Sequence, residues 1–156
     1  MKKELKITYE HFSNLSELSV EDQDYVAKAR EVAKKAHAPY SKFYVGATLL
    51  LENGEIILGS NQENIAFPSG LCAERVALFY AGANFPDVGV KKLIVVANGD
   101  LIAKDAVLSP CGGCRQVMLE SQSRQKENFP IYLIGQDDSV HIFSSIYDLM
   151  PMAFGK

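Results

Sequence analysis

Three cysteines and one glutamate are the residues of this chain whose types and spacing point to chemistry. The only cysteines are Cys72, Cys111 and Cys114, and Glu74 follows the first of them by two residues. A structural zinc site normally has four protein ligands, whereas a catalytic zinc site has three and keeps one position open for water. The set therefore indicates an open zinc site that activates water, with a carboxylate beside it that can take and return protons.

By itself, the C-x-x-C segment of Cys111 and Cys114 is as typical of a redox pair or half a zinc ribbon as it is of a catalytic zinc site. A ribbon needs a second C-x-x-C segment, which the sequence lacks, and a redox pair leaves Cys72 without a role. None of the scattered histidines has ligand spacing with a cysteine: His11, His37 and His141. Taken together, the spacings favour a catalytic zinc site over either alternative.

Both cysteine segments are predicted to lie at helix N-termini. One helix is expected from residue 72 to about residue 81, ended by Gly82, and another over about residues 111–125, after Pro110. The free N–H groups and the dipole at a helix N-terminus favour the thiolate that metal binding requires. Arg75, one turn after Cys72, can offset the negative charge of three thiolates on a divalent ion.

The remaining pattern predicts the elements that must bring these two N-termini together. Ser19 and Asp22 are expected to begin a helix that ends near residue 35, before Pro39. Asn53-Gly54 predicts a hairpin turn. Strands are expected over residues 5–12, 43–51, 55–59, 92–97, 131–135 and 140–143, a short helix over 145–149, and a loop over 61–70. Because strands and helices alternate after the hairpin, the prediction is a three-layer α/β/α fold with a mixed central sheet.

Composition limits the classes of function. The chain has 156 residues and a formal net charge of −3, so it is about one domain in size and lacks an excess of basic residues for nucleic-acid binding. No run approaches the roughly 18 apolar residues of a membrane span, and no signal sequence is evident. Three cysteines in a C-x-x-C context are typical of metal chemistry in a reducing compartment. We therefore expect a cytoplasmic protein with no nucleic-acid or membrane partner.

Several short motifs, in their order along the chain, resemble the zinc-dependent cytidine deaminases of the homotetrameric type, which have cysteine as the first ligand. The matching segments are residues 39–47 (PYSKFYVGA), 61–64 (NQEN), 70–75 (GLCAER), 109–116 (SPCGGCRQ) and 149–155 (LMPMAFG). The resemblance covers about residues 25–155 and implies the cytidine deaminase fold. It also suggests an N-terminal extension, residues 1–20, before a catalytic domain, residues 21–156, with the extension adding an edge strand or a subunit contact.

The resemblance implies hydrolytic deamination of cytidine and 2′-deoxycytidine in pyrimidine salvage, with Zn²⁺ as the cofactor and a nucleoside and water as the substrates. Cys72, Cys111 and Cys114 would bind the zinc. Glu74 would move protons from water to N3 of the base and to the leaving amine, so its removal should spare metal binding and abolish turnover.

The same resemblance assigns the substrate contacts. Asn61 and Glu63 would bind the ribose 3′-hydroxyl, since residues two apart on an extended segment point the same way. Backbone groups near Ala73 and Ser109 would contact the pyrimidine edge, and Phe43 would pack against the base. A carboxylate near the ribose would also repel a phosphate and favour free nucleosides.

Two further aromatic residues imply the homotetramer. Phe67 and Phe154 match positions at which neighbouring subunits close each other's sites, although both could equally be ordinary packing within the chain. Phe67 also replaces a tyrosine found in other forms of its loop, so a hydrogen bond that a tyrosine hydroxyl could make is lost.

Three other functions remain open from the sequence. The chain could deaminate a modified cytosine nucleoside, although the pair Asn61 and Glu63 favours an ordinary ribose. It could act on nucleic acid, but such deaminases usually have histidine as the first ligand and a basic channel. It could also be a zinc-stabilised binding module without catalysis, in which case Glu74 would be dispensable.

Overall fold

A mixed six-stranded sheet between two helical layers makes up the structure, a computed structural model that describes residues 1–154. The strands are β1 (Glu10–Phe12), β2 (Tyr44–Leu51), β3 (Ile56–Ser60), β4 (Val90–Asn98), β5 (Ile131–Ile134) and β6 (Val140–Phe143). The helices are α1 (Val20–Ala33), α2 (Ala73–Asn84), α3 (Gly112–Ser123) and α4 (Ile146–Leu149). The strand order is β1-β6-β5-β4-β2-β3, and β4 and β5 are the parallel pair. The predicted three-layer fold with a mixed sheet is confirmed.

The two faces of the sheet carry separate apolar cores, because successive side chains of a strand point to opposite sides. The side that packs on α2, α3 and α4 includes Leu49, Leu93 and Leu133. The side that packs on α1 includes Leu50, Ile94 and Ile134. Strand β4 is thus covered on both faces, which explains its continuous apolar run.

Helix α1 begins where the sequence predicts. Ser19 is the N-cap residue, and its hydroxyl oxygen accepts the backbone N–H of Asp22 at 3.1 Å. The helix lies directly on β2, since a Cβ on Gly46 would come within 2.0 Å of the backbone oxygen of Ala29. A larger residue at this position would push α1 away from the sheet.

Helix α2 comes equally close to β3. A Cβ on Gly59 would lie 2.4 Å from the carbonyl oxygen of Ala73 and 2.9 Å from the backbone nitrogen of Ala77. Because Ala73 is the first residue of α2, this contact fixes the position of the helix N-terminus over the sheet. Cys72, the preceding residue, is held in place by the same contact.

The predicted end of α2 at Gly82 is wrong, because the helix continues for two more residues. A glycine ends a helix when it adopts a positive φ. Among the glycines of residues 1–154, only Gly54 and Gly99 have a positive φ. Gly82 keeps helical dihedrals and is one more residue of the α2 surface.

The N-terminal strand is shorter than predicted. Only Glu10–Phe12 forms β1, which pairs antiparallel with β6 at the edge of the sheet. Strand β6 ends at Phe143, so the residues before Tyr9 have no strand opposite them, while the ring of Tyr9 stacks on Phe143 at a centroid distance of 5.1 Å. The segment before α1 thus adds an edge strand. The domain boundary after residue 20 stays a prediction.

The other elements lie close to their predicted positions, and the loop at residues 61–70 contains a single turn of 3-10 helix, Phe67–Ser69. None of the helices within residues 1–154 has both the length and the apolarity needed to cross a membrane.

Candidate active site

The N-termini of α2 and α3 converge and bring the three cysteines together. Cys72 is the N-cap residue of α2, and Cys111 is the N-cap residue of α3. The Sγ atom of Cys111 is 3.8 Å from that of Cys72 and 3.4 Å from that of Cys114. All three sulfur atoms lie within 4.8 Å of one another. The predicted meeting of the two helix N-termini is therefore present.

The sulfur triangle has the size of a zinc site. Tetrahedral zinc with bonds of about 2.3 Å to thiolates places the sulfur atoms about 3.8 Å apart. Within residues 1–154, no histidine, carboxylate or further cysteine joins the three sulfurs in a metal-binding group. The donor set thus fits zinc with one position left for a non-protein ligand.

Electrostatic contacts within the cluster favour a thiolate at Cys72. Hydrogen bonding with Cys114, and then with Arg75 and Cys111, lowers the pKa of Cys72 to about 5. The same contact with Cys72, together with burial, raises the pKa of Cys114. The backbone N–H of Cys114 also donates to Sγ of Cys111 at 3.4 Å, as expected at a helix N-terminus. The cluster therefore holds negative charge, and the thiolate is the form that binds zinc.

Glu74 is buried beside the cluster. Only 4% of its surface is exposed. Burial raises the pKa of its carboxyl to about 7, and the charge of Cys72 acts in the same direction. Glu74 lines the same cavity as Cys72 and Cys111 without belonging to the sulfur cluster. It is thus placed to exchange protons with a molecule in that cavity.

Arg75 lies on the side of α2 that faces the sulfur atoms, as its spacing predicts. Its Nη2 atom is 3.7 Å from Sγ of Cys72 and 3.5 Å from the carbonyl oxygen of Gly70. Its Nε atom is buried and has no hydrogen-bond partner within residues 1–154. The guanidinium is therefore positioned to offset the charge of the thiolates.

A cavity of about 770 Å³ joins the cluster to the loop at residues 61–64. Its volume lies in the range of roughly 300–1,000 Å³ that is typical of small-molecule sites. Five residues predicted to contact a substrate line it: Phe43, Asn61, Glu63, Phe67 and Ser109. The cluster and the predicted sugar-binding pair thus share one cavity.

Asn61 is hydrogen-bonded to the backbone at the beginning of β2. Its side-chain oxygen accepts the N–H of Val45 at 2.7 Å, and its side-chain nitrogen donates to the carbonyl oxygen of Phe43 at 2.9 Å. The side chain is buried. Sequence reasoning predicted a sugar contact here and missed this bracing of the cavity wall, which no local pattern indicates.

Glu63 is fixed in the same way to the segment before β2. Its carboxylate accepts the backbone N–H of Tyr40 at 2.8 Å and that of Ser41 at 3.3 Å. Hydrogen bonds from Ser41, first through its side chain, lower the pKa of Glu63. An ionised carboxylate has about four acceptor positions, so Glu63 keeps acceptor capacity for a ligand hydroxyl.

Two residues predicted at the site do not line the cavity within one chain. Ala73 is fully buried where α2 packs on β3. Phe154 is 84% exposed, and its carbonyl oxygen accepts a hydrogen bond from Gln116 at 3.2 Å. Gly155, the last residue of the motif at 149–155, lies outside the described residues.

An apolar loop between β4 and α3 forms a part of the wall that sequence reasoning missed. Four of its side chains line the cavity: Leu101, Ile102, Val107 and Leu108. The loop begins at Gly99, whose N–H and C=O both bond the side-chain amide of Gln136, at 3.1 and 3.0 Å. The available signal was a cluster of apolar side chains in a segment with no periodicity, where polar residues are usual.

Comparisons with known proteins give one consistent result. Residues 19–127 match the family model of the cytidine and deoxycytidylate deaminase zinc-binding region. A cytidine deaminase of Sporosarcina psychrophila is 38% identical over 134 residues, which are 84% of this chain and 89% of that protein. A cytidine deaminase of Halalkalibacterium halodurans is 37% identical over 85% of this chain and 92% of that protein. The crystal structure of the cytidine deaminase from Burkholderia pseudomallei superposes with a TM-score of 0.72 at 33% identity, covering 88% of this chain and 100% of that one.

We expect Asn61→Ala to lower the free energy of unfolding by about 2 kcal/mol, because it removes two hydrogen bonds that brace the start of β2. Urea unfolding followed by circular dichroism measures the loss. Asn128→Ala is the matched control, since Asn128 is exposed in the loop before β5, and we expect a change below about 0.5 kcal/mol. Equal unfolding free energies for Asn61→Ala and the unchanged protein would contradict the bracing role.

Proposed function

The chain belongs to the cytidine deaminases, which replace the 4-amino group of cytidine by oxygen and release ammonia, and we propose that it acts on free cytidine and 2′-deoxycytidine in pyrimidine salvage. Hydrolytic deamination and the use of zinc follow from the family.

The observation that carries the proposal is that Cys72, Glu74 and the pair Asn61 and Glu63 line a single cavity. A nucleoside needs reactive groups for its base and polar groups for its sugar, and this cavity offers both. Phe43 lines it too and supports the proposal by offering an apolar ring surface to a pyrimidine.

Cys72, Cys111 and Cys114 are assigned as the zinc ligands, on the strength of their sulfur separations. When bound, zinc supplies a Lewis acid that lowers the pKa of water and makes a nucleophile available at neutral pH. The positive charge of Arg75, 3.7 Å from the Cys72 sulfur, stabilises the thiolates.

Glu74 is assigned as the proton-transfer residue, because it is buried next to the cluster and faces the cavity. It takes a proton from the attacking water and gives it to N3 of the pyrimidine. It then delivers the second proton of that water to the amino group, which leaves as ammonia. Backbone groups near Ala73 and Ser109 orient the pyrimidine edge in this arrangement.

Asn61 and Glu63 are assigned to the ribose 3′-hydroxyl. Their hydrogen bonds to the backbone of residues 40–45 fix both side chains before a ligand binds, which supports a positioning role. A phosphate on the ribose would lie close to the negative charge of Glu63, and like charges repel. The site therefore favours nucleosides over nucleotides.

A homotetramer is proposed from the exposed aromatic residues. Phe67 is 73% exposed at the cavity mouth, where its ring edge meets Tyr40 at a centroid distance of 5.6 Å. Phe154 is exposed away from the cavity of its own chain. Both are available to help close a site between neighbouring subunits. A cytoplasmic location is proposed with it, because the three thiols must stay reduced to bind metal.

A second candidate is the deamination of cytosine nucleosides that carry an apolar substituent. It is favoured by Leu101 and Val107, which line the cavity and are exposed to it as large apolar side chains. Assays on a panel of base-substituted cytidines distinguish the two candidates, since the second candidate requires faster deamination of the substituted nucleosides than of cytidine.

We expect Glu74→Gln to lower kcat for cytidine by roughly 10²- to 10⁴-fold while zinc content is unchanged, because the amide cannot transfer protons. Loss of the cytosine absorbance measures turnover, and metal analysis measures zinc. Glu55→Gln is the control, since Glu55 is exposed in the turn before β3. A Glu74→Gln protein with near-normal kcat would contradict the assigned role.

We expect kcat/KM for cytidine monophosphate to be at least about 10-fold below that for cytidine, because the negative charge of the Glu63 carboxylate repels the added phosphate. Glu63→Gln should narrow the difference by removing the repelling charge. Steady-state assays on both substrates with both proteins measure it. Equal kcat/KM values for the two substrates in the unchanged protein would rule out the preference for nucleosides.

A further inference from the structure

Arg115 joins three separate parts of the chain through one side chain. Its Nε atom donates to the carbonyl oxygen of Pro110 at 2.9 Å. One terminal nitrogen donates to the hydroxyl oxygen of Ser109 at 2.6 Å, and the other donates to the carbonyl oxygen of Leu149 at 2.5 Å. Arg115 forms no ion pair within residues 1–154, so its guanidinium donates hydrogen bonds to three neutral acceptors and to no carboxylate.

Two of the three acceptors belong to the wall of the active-site cavity. Ser109 and Pro110 both line it, and they immediately precede the zinc ligand Cys111. They form an extended segment before α3, where no intrahelical hydrogen bond can hold it. Arg115 lies on the first turn of α3 and reaches back to this segment, so its guanidinium fixes the segment relative to the helix that carries Cys114.

The third acceptor connects the cavity wall to the C-terminal segment. The carbonyl of Leu149 is the last of α4 and lacks an intrahelical partner, so Arg115 caps this helix. The neighbouring residue Gln116 donates to the carbonyl oxygen of Phe154 at 3.2 Å. Two consecutive residues of α3 therefore donate hydrogen bonds to the last residue of α4 and to Phe154, five residues later.

We propose that Arg115 is a positioning residue of the deamination site, which sets the Ser109–Pro110 segment against the bound pyrimidine and ties it to the C-terminal segment. The inference rests on the proposed function, because it takes Ser109 as a substrate contact. Arg115 acts through the geometry of its hydrogen bonds, not through its charge. A guanidinium is planar with donors in a fixed fork, whereas a lysine ammonium is a point charge that cannot span the three acceptors.

The variants Arg115→Ala and Arg115→Lys test the proposal, each made alone and together with Ser109→Ala. Displacing the Ser109–Pro110 segment by about 1 Å costs up to about 100-fold in rate, so we expect Arg115→Ala to lower kcat by that order with a smaller change in KM. Arg115→Lys should stay impaired although the charge is kept. In the Ser109→Ala background, the loss caused by Arg115→Ala should be at least about twofold smaller, since Ser109→Ala already removes one of the three hydrogen bonds of Arg115. Zinc content should match that of the unchanged protein throughout.

The control is Arg124→Ala, which removes an arginine just after α3 whose contact with Glu120 is exposed, and which should leave kcat unchanged. The proposal is overturned if Arg115→Ala retains normal kcat, if zinc is lost with it, or if its effect is the same size with and without Ser109. If Arg115→Ala does not fold, kcat and zinc content of Arg115→Lys are measured with and without Ser109→Ala, and the same results overturn the proposal. An unchanged protein that fails to deaminate cytidine would instead contradict the proposed function.

Discussion

The meeting of two helix N-termini is the constraint on which the rest of the structure depends. Cys72 and Cys111 are 39 residues apart in the chain, yet their sulfur atoms are 3.8 Å apart. Two features fix the positions of α2 and α3 relative to each other. Gly59 allows the first turn of α2 to rest on β3, and β4 and β5, which flank α3 in the chain, pair in parallel. A shift of either helix would separate the sulfur atoms and leave no site for a divalent ion.

The convergence of the two helix N-termini concentrates the negative charge of the thiolates in a small volume. Neighbouring groups lower the free-energy cost of placing that charge there. The backbone N–H of Cys114 at the N-terminus of α3 and the guanidinium of Arg75 near Cys72 stabilise the thiolates. Burial beside the cluster raises the pKa of the Glu74 carboxyl, so this group is more readily protonated than a carboxyl in water. The opposite side of the cavity is built differently, since Asn61 and Glu63 are fixed by hydrogen bonds to backbone groups. A reactive end and a rigid polar end thus arise from separate parts of one fold.

Local patterns predicted the elements that carry the site, and contacts across the chain decided the rest. Ser19 with Asp22 indicated the start of α1, and the apolar run of β4 indicated a central strand. The end of α2 was misplaced at Gly82, because the φ of a glycine depends on its surroundings. The apolar loop at residues 101–108 and the three acceptors of Arg115 carry no periodic signal and become visible only when α3, α4 and the sheet are assembled. The shared site of the cysteines was predicted from the joint spacing of Cys72, Glu74 and the C-x-x-C segment, which favoured one zinc site over a redox pair or a zinc ribbon.

The central claim is that this cluster is an open zinc site of three thiolates. X-ray absorption at the zinc edge of the metal-loaded protein tests it most directly. The structure predicts three sulfur neighbours at about 2.3 Å and one oxygen neighbour at about 2.0–2.2 Å. A shell of four protein sulfur and nitrogen ligands, or one with fewer than three sulfurs, would contradict it.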